Sequence, residues 1–210
     1  QIVTILSYKV KIGFILWVMA SPTVLAQCIG VVTAGGGRAF WSEVQHGAQR
    51  AGEELGISIY TRGALDEVNI EGQSEAIRWV LKNDCKGLLL APNSEARLFQ
   101  VAELKTQGIL TLYIDRDMGG ERIGVIKTNN YEAGKLAGKE MVNILNGKGK
   151  VAVFRLNKYV VSTTARENGF IDAATKGGLE VVIDEYVGST VGDAREQVRL
   201  LMNRSRLLDG

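Results

Sequence analysis

Short β-rich apolar runs alternate with stretches of helical periodicity along most of this chain, and that alternation limits the fold more than any other feature. Residues 28–33 form a continuous apolar run suited to a strand buried on both faces. Phe40, Trp41, Val44, Ala48, Ala51 and Leu55 then recur at helical spacing, and Gly56 supplies a stop. A strand over 57–61, a helix over 69–83 and a strand over 87–92 follow, the last stopped by Pro92. Asn93 or Ser94 is placed to cap a helix running to about Gln107, before a strand over 110–114. Such alternation with short connections predicts an α/β fold built on a doubly wound parallel sheet. After a short strand at 123–127, a long helix opens at 129–134 and ends at Gly147–Gly149. Gly134 and Gly138 lie four apart on it, a spacing that permits close helix packing. The alternation then restarts with a strand over 150–155, a helix near 163–176, a strand over 179–186 and a helix near 192–203. This restart predicts a second α/β lobe, joined to the first by ordered crossovers.

The 210-residue chain is 46% hydrophobic, enough for a packed core. Its 25 basic and 23 acidic residues are spread rather than clustered, so no basic stripe points to nucleic acid. One histidine and two cysteines give no metal-ligand spacing, and no cofactor motif is present. The loop 34–38 is glycine-rich but lacks both GxGxxG and the Lys-Ser/Thr ending of a phosphate cradle. Residues 1–26 read as an export signal: Lys9 and Lys11 flank an apolar run over 12–20, and small residues precede Gln27. An uncleaved anchor is the alternative. Leu25, Ala26 and Gln27 before Cys28 resemble a lipoprotein box only faintly, because glutamine does not fit its last position.

The candidate site starts from Thr111–Arg116, where an apolar run ends abruptly in Asp115 and Arg116. In an open parallel sheet, residues just past a strand's carboxyl end face the crevice where ligands bind. A carboxylate accepts hydrogen bonds and a guanidinium donates them in a planar fork, so the pair suits a small ligand bearing hydroxyls. A plain salt bridge at a strand end is the competing reading. Phe40 and Trp41 are adjacent on one helix and cannot both point into the core. At least one projects at the crevice, where an aromatic face suits a sugar ring, unless both merely staple the helix start. Arg166 follows the strand over 151–154 at the start of a helix, where a cation opposes the helix dipole. It either serves a ligand or pairs with Glu167 or with an acid of the first lobe.

Several of these motifs, in this order, resemble the periplasmic sugar-binding proteins of ABC importers, of the ribose-binding type. They are Phe40–Trp41, Val44 with Gly47–Ala48 to Glu54–Gly56, the run 87–92, Ile114–Arg116, Thr128–Asn130 with Ala133–Gly134, and Ala165–Phe170. The resemblance runs from about Cys28 to the end and implies the type I fold of two lobes closing on a sugar by a hinge motion. It implies a first lobe over 27–128 and a partial second lobe over 129–210. It assigns Phe40 and Trp41 to stacking on the sugar, and Asp115, Arg116 and Arg166 to its hydroxyls, with Arg38 as a further polar contact. Against the family, Leu110 stands where proline usually precedes the fourth strand, and no aromatic follows Tyr186. The family also continues beyond a point matching Gly210 with further ligand residues, so the chain reads as C-terminally truncated. In the implied fold, Cys28 and Cys85 lie nearly level on neighbouring strands, within disulfide reach. An exported protein permits that bond, and two inert thiols are the alternative.

The expected function is that of a monomeric, periplasmic solute-binding protein that delivers a pentose or hexose to a membrane permease. It is not read as an enzyme: His46 lies on a helix face with no visible partner. Alternatives are a periplasmic sensing domain for a chemoreceptor or sensor kinase, or a LacI-like effector domain. The latter class carries a helix-turn-helix segment ahead of the first strand, whereas the residues there are apolar in this chain. A nucleotide-dependent enzyme using the glycine loop is a third.

Overall fold

A computed structural model describes residues 28–36, 39–188 and 191–204; the expected export segment lies outside them. The first half of the chain alternates β1 (Cys28–Thr33), α1 (Ala39–Leu55), β2 (Ser58–Gly63), α2 (Ile70–Leu81), β3 (Gly87–Leu90), α3 (Ala96–Thr106), β4 (Leu110–Ile114) and β5 (Gly124–Ile126). All five strands are parallel, in the order β2-β1-β3-β4-β5. The chain goes to one side of β1 for β2 and to the other for β3. The carboxyl ends of β1 and β3 therefore form the switch point, where a crevice opens in such sheets.

One face of this sheet is packed by α2 and α3 around Val32, Ile77, Val80, Leu88, Leu90 and Tyr113, all buried. Gly30 allows the approach of α2, because a Cβ there would meet Val80 at 2.6 Å. Among the described residues the other face carries only α1, and beside it an apolar groove of ≈ 680 Å³ runs over Ile29, Leu89, Leu112 and Ile123. The switch point is tied from within by Gln73, which has no exposed surface. Its amide donates to the Ala91 carbonyl at 2.7 Å and its oxygen accepts from the Asn93 backbone N–H at 3.0 Å. Asn93 thus fastens the loop after β3, and its own amide donates to the Asn69 carbonyl. It does not cap α3, and neither does Ser94: that helix begins after Glu95, with no side-chain cap. Asn69 does cap α2, accepting from the Gly72 N–H at 2.8 Å. A disulfide joins Cys28 to Cys85, with Cα atoms 4.6 Å apart, pinning the amino-terminal ends of β1 and β3.

The second half contains α4 (Asn130–Ile144), β6 (Gly149–Arg155), α5 (Val161–Lys176), β7 (Leu179–Tyr186) and α6 (Val191–Arg204). Strands β6 and β7 form a separate parallel pair, with a bulge between Val151 and Ala152. Helices α4 and α5 touch backbone to backbone, and the contact is made of glycines. A Cβ at Gly134 would lie 1.8 Å from the Arg166 carbonyl oxygen, and one at Gly169 would lie 2.1 Å from that of Tyr131. At Gly138 it would meet the Phe170 carbonyl at 2.6 Å. Arg155 locks the same unit from β6, pairing with Glu167 at 2.9 Å and Asp184 at 3.2 Å. Glu167 is therefore engaged by Arg155, not by its neighbour Arg166.

These contacts predict opposite outcomes for two glycine substitutions. Gly134→Ala forces backbone apart and should cost about 1–3 kcal/mol or more, as overpacking does. Gly47→Ala, on the exposed side of α1 with nothing within 4 Å, should instead stabilise by about 0.5–1 kcal/mol through helix propensity. Urea unfolding midpoints of the two variants check both.

Candidate functional site

The turn that ends β4 has unusual geometry for its residue type. Asp115 has φ 62°, in the left-handed region that non-glycine residues rarely occupy. The Arg116 N–H closes back on the Ile114 carbonyl at 2.7 Å, and the Asp115 N–H donates to the Ile126 carbonyl at 2.9 Å. A tight three-residue turn of this hand is strained, and such strain concentrates at functional sites. Its effect is to hold both side chains just past the carboxyl end of β4.

There they border a polar cleft of ≈ 510 Å³ between the first sheet's edge and the starts of α4 and α5. Asp115, Arg116, Asp117, Lys127, Asn130 and Ser162 are among its lining residues. Ser162, in the first turn of α5, donates its hydroxyl to Asp115 Oδ2 at 3.3 Å, so the two halves of the chain meet directly across the cleft. Arg166 Nη2 donates to the side-chain oxygen of the mostly buried Asn130, the first residue of α4. Arg166 lies in the second turn of α5 rather than at its start, because that helix begins at Val161. It reaches the cleft's margin through Asn130, and among the described residues it pairs with neither Glu167 nor an acid of residues 28–128.

Arg116 is only 3% exposed and is held by two carboxylates. Its Nε donates to Asp115 Oδ2 at 3.1 Å and its Nη2 donates to Glu67 Oε2. Glu67 comes from the loop between β2 and α2 and was missed by sequence reasoning. Its other oxygen accepts the Trp41 indole N–H at 2.8 Å. Trp41 is buried against Ala34, Ala91, Val44 and Ile114, and the Arg116 guanidinium lies 5.7 Å from its ring centroid. Phe40 is the aromatic that projects: it is 58% exposed and meets Trp41 edge-on at 4.8 Å. Neither ring is among the residues lining the cleft. Arg38 lies outside the described residues.

In α3, Arg97 is 2% exposed, and burial draws its pKa below the usual value. Burial pushes the nearby Tyr113 phenol up. In the loop after Arg116, the Arg122 guanidinium, at 3.0 Å, and then the Gly119 N–H, at 2.9 Å, hold the Asp117 carboxyl below the usual carboxylate range.

Comparison with known proteins places the chain in a family. Residues 29–210 match the periplasmic binding protein domain model. The chain belongs to that family. It is 31% identical to the periplasmic component of an ABC-type sugar transport system from Hahella chejuensis, superposing with a TM-score of 0.78 over 87% of this chain and 68% of that one. A periplasmic solute-binding protein from Actinobacillus succinogenes, solved with bound D-allose, superposes with a TM-score of 0.80 over 88% and 68%. At 14% identity, this second likeness is one of fold. The D-apiose import binding protein of Paraburkholderia graminis is 25% identical over 150 residues, which cover 70% of this chain and 47% of that protein. The chain thus spans about half the length of that curated relative. The α/β architecture with parallel sheets is the type I periplasmic-binding-protein fold, and the resemblance seen in the sequence holds at the level of family and fold.

The depressed Asp117 pKa carries a pH signature. A carboxyl held below its unfolded value stabilises the fold above that value, and the contribution is lost as pH falls through the folded one. Asp117→Asn should therefore lower the urea midpoint at pH 7, and the gap from the parent protein should close as pH drops below about 4. Midpoints measured from pH 7 to pH 3 check this.

Proposed function

We propose that this chain is a solute-binding component of an ABC importer, which captures a pentose or hexose between two lobes and passes it to a membrane permease. The lobes divide near residue 128, giving 27–128 and 129–210, and the protein works in the periplasm after export by residues 1–26. The observation that carries this reading is the cleft itself. A strained turn presents Asp115 and Arg116 from one side, while Ser162 and the Asn130–Arg166 pair approach from the other. Acceptors and donors converging on one polar crevice suit a ligand covered in hydroxyls. The named relatives support it, being sugar-transport and solute-binding proteins.

In this role the side chains bind and orient rather than catalyse. Asp115 accepts from sugar hydroxyls, Arg116 and Arg166 donate to sugar oxygens, and Ser162 exchanges its bond to Asp115 for one to the ligand as the lobes adjust. Phe40, the exposed ring, is the more accessible face for stacking, while Trp41 supports it from below.

A calorimetric and thermal-shift screen of pentoses and hexoses on the 210-residue chain tests the reading. At least one sugar should bind. Asp115→Ala and Arg116→Ala should each weaken it by about 1–3 kcal/mol, the cost of leaving buried partners unpaired. A chain that binds no monosaccharide, or variants that bind as well as the parent, would overturn it.

A further inference from the structure

Glu67, like Trp41, does not line the cleft, yet it sets what the cleft can offer a ligand. An arginine in a binding crevice is ordinarily an anchor for anions, because two parallel N–H groups on one edge of its fork match a carboxylate or phosphate. In Arg116 one such edge, Nε–Nη2, is occupied from within the protein. Asp115 takes the Nε hydrogen and Glu67 takes Nη2, the two nitrogens that share one side of the fork. Glu67 is itself fixed, with one oxygen on Arg116 and the other on the Trp41 indole N–H. Its side chain is 11% exposed and that of Arg116 is 3% exposed, so water screens the group poorly. The cluster of one guanidinium and two carboxylates carries one net negative charge.

Resting on the binding function proposed above, we infer that Glu67 is a specificity-determining residue that makes this cleft select uncharged sugars over sugar acids and sugar phosphates. It acts through Arg116. With Asp115 it fills the Nε–Nη2 edge, the side-on edge of the fork, and leaves the Nη1 hydrogens of the guanidinium to a ligand. By adding a second negative charge beside it, it repels a ligand carboxylate or phosphate. A neutral polyol meets neither obstacle. Other cations stand near the cleft and counter part of this charge: Lys127, exposed to solvent, lines it, and Arg166 donates to the neutral Asn130 at its margin, while Arg122 is paired with Asp117. Glu67 differs from all of them in touching the Arg116 guanidinium itself.

The test is isothermal titration of the 210-residue chain at pH 7 with matched ligands: glucose against glucuronate, galactose against galacturonate, and ribose against ribose 5-phosphate. For the pair that binds, the parent protein should favour the neutral member by about tenfold or more, the scale of one unfavourable charge contact. Glu67→Gln keeps the side chain's shape but removes the charge and one acceptor. It should weaken the neutral ligand and bring the neutral-to-anionic ratio down by about tenfold. Glu67→Asp draws the carboxylate back from Nη2 and should move the ratio the same way, which covers a Gln variant that fails to fold. Trp41→Phe leaves the Glu67–Arg116 bond in place and should keep the ratio while lowering overall affinity. A purely structural Glu67 would weaken both ligands equally in its variants, and an unchanged ratio overturns the inference. Parent protein that binds the anionic member as tightly as the neutral one overturns it too, leaving the sugar-binding reading intact. Parent protein that binds neither member of any pair, nor any other monosaccharide, overturns both.

Discussion

A guanidinium removed from water must find its charge partners inside the protein, and Arg116 is the cation on which the arrangement of this site depends. Burying an unpaired charge would cost several kcal/mol or more. The fold answers with two acids drawn from different places: Asp115 from the same strained turn and Glu67 from the loop after β2. That requirement propagates outward. Glu67 can reach only if its loop is held, and the buried Gln73 and the Asn69 cap fix the turn of α2 that follows it. Its second oxygen fixes Trp41, which positions the start of α1 and leaves Phe40 outside. One buried charge thus links β4, the β2–α2 loop and α1 at the switch point of the sheet.

The second half of the chain solves a different problem by different means. Its two-stranded sheet offers little area to bury, and the unit gains order from the backbone contact of α4 with α5. Three glycines permit it, and Arg155 ties β6 to α5 and β7 through a fan of charge-assisted bonds. The consequence for the cleft is geometric. With α4 and α5 held at backbone distance, Asn130, Ser162 and Arg166 are presented as one rigid edge facing Asp115. Rigid presentation lowers the conformational cost of binding.

Much of this was legible in the residues, and the misses have a common cause. The abrupt end of an apolar run at Asp115–Arg116 marked a strand's carboxyl end, and the strand stands there. Gly134 and Gly138 announced a close helix contact, but their partner helix and the matching Gly169 were not identifiable from spacing. That one of Phe40 and Trp41 must stay outside followed from adjacency. Which one did not, because both faces of the helix start are apolar until the Glu67 carboxylate claims the indole N–H. Asn93 had the chemistry of a helix cap and is used instead as a strap to Gln73 and Asn69, an outcome of tertiary competition for the same polar groups. Arg166 was placed one turn too early because helix ends depend on contacts that periodicity does not encode.

By itself the sequence determined the order and kind of the elements, the parallel α/β class, the family, and the strand end on which the candidate site is built. These follow from backbone periods of two and 3.6 residues and from local breakers, which act over a few positions. Only the tertiary structure decided that Arg116 answers to Glu67, 49 residues away, that Ser162 reaches Asp115 across the cleft, and that Trp41 lies beneath Phe40. Those pairings depend on where loops bring donors and acceptors together in space. A carboxylate in a loop looks the same in sequence whether it faces water or neutralises a buried cation.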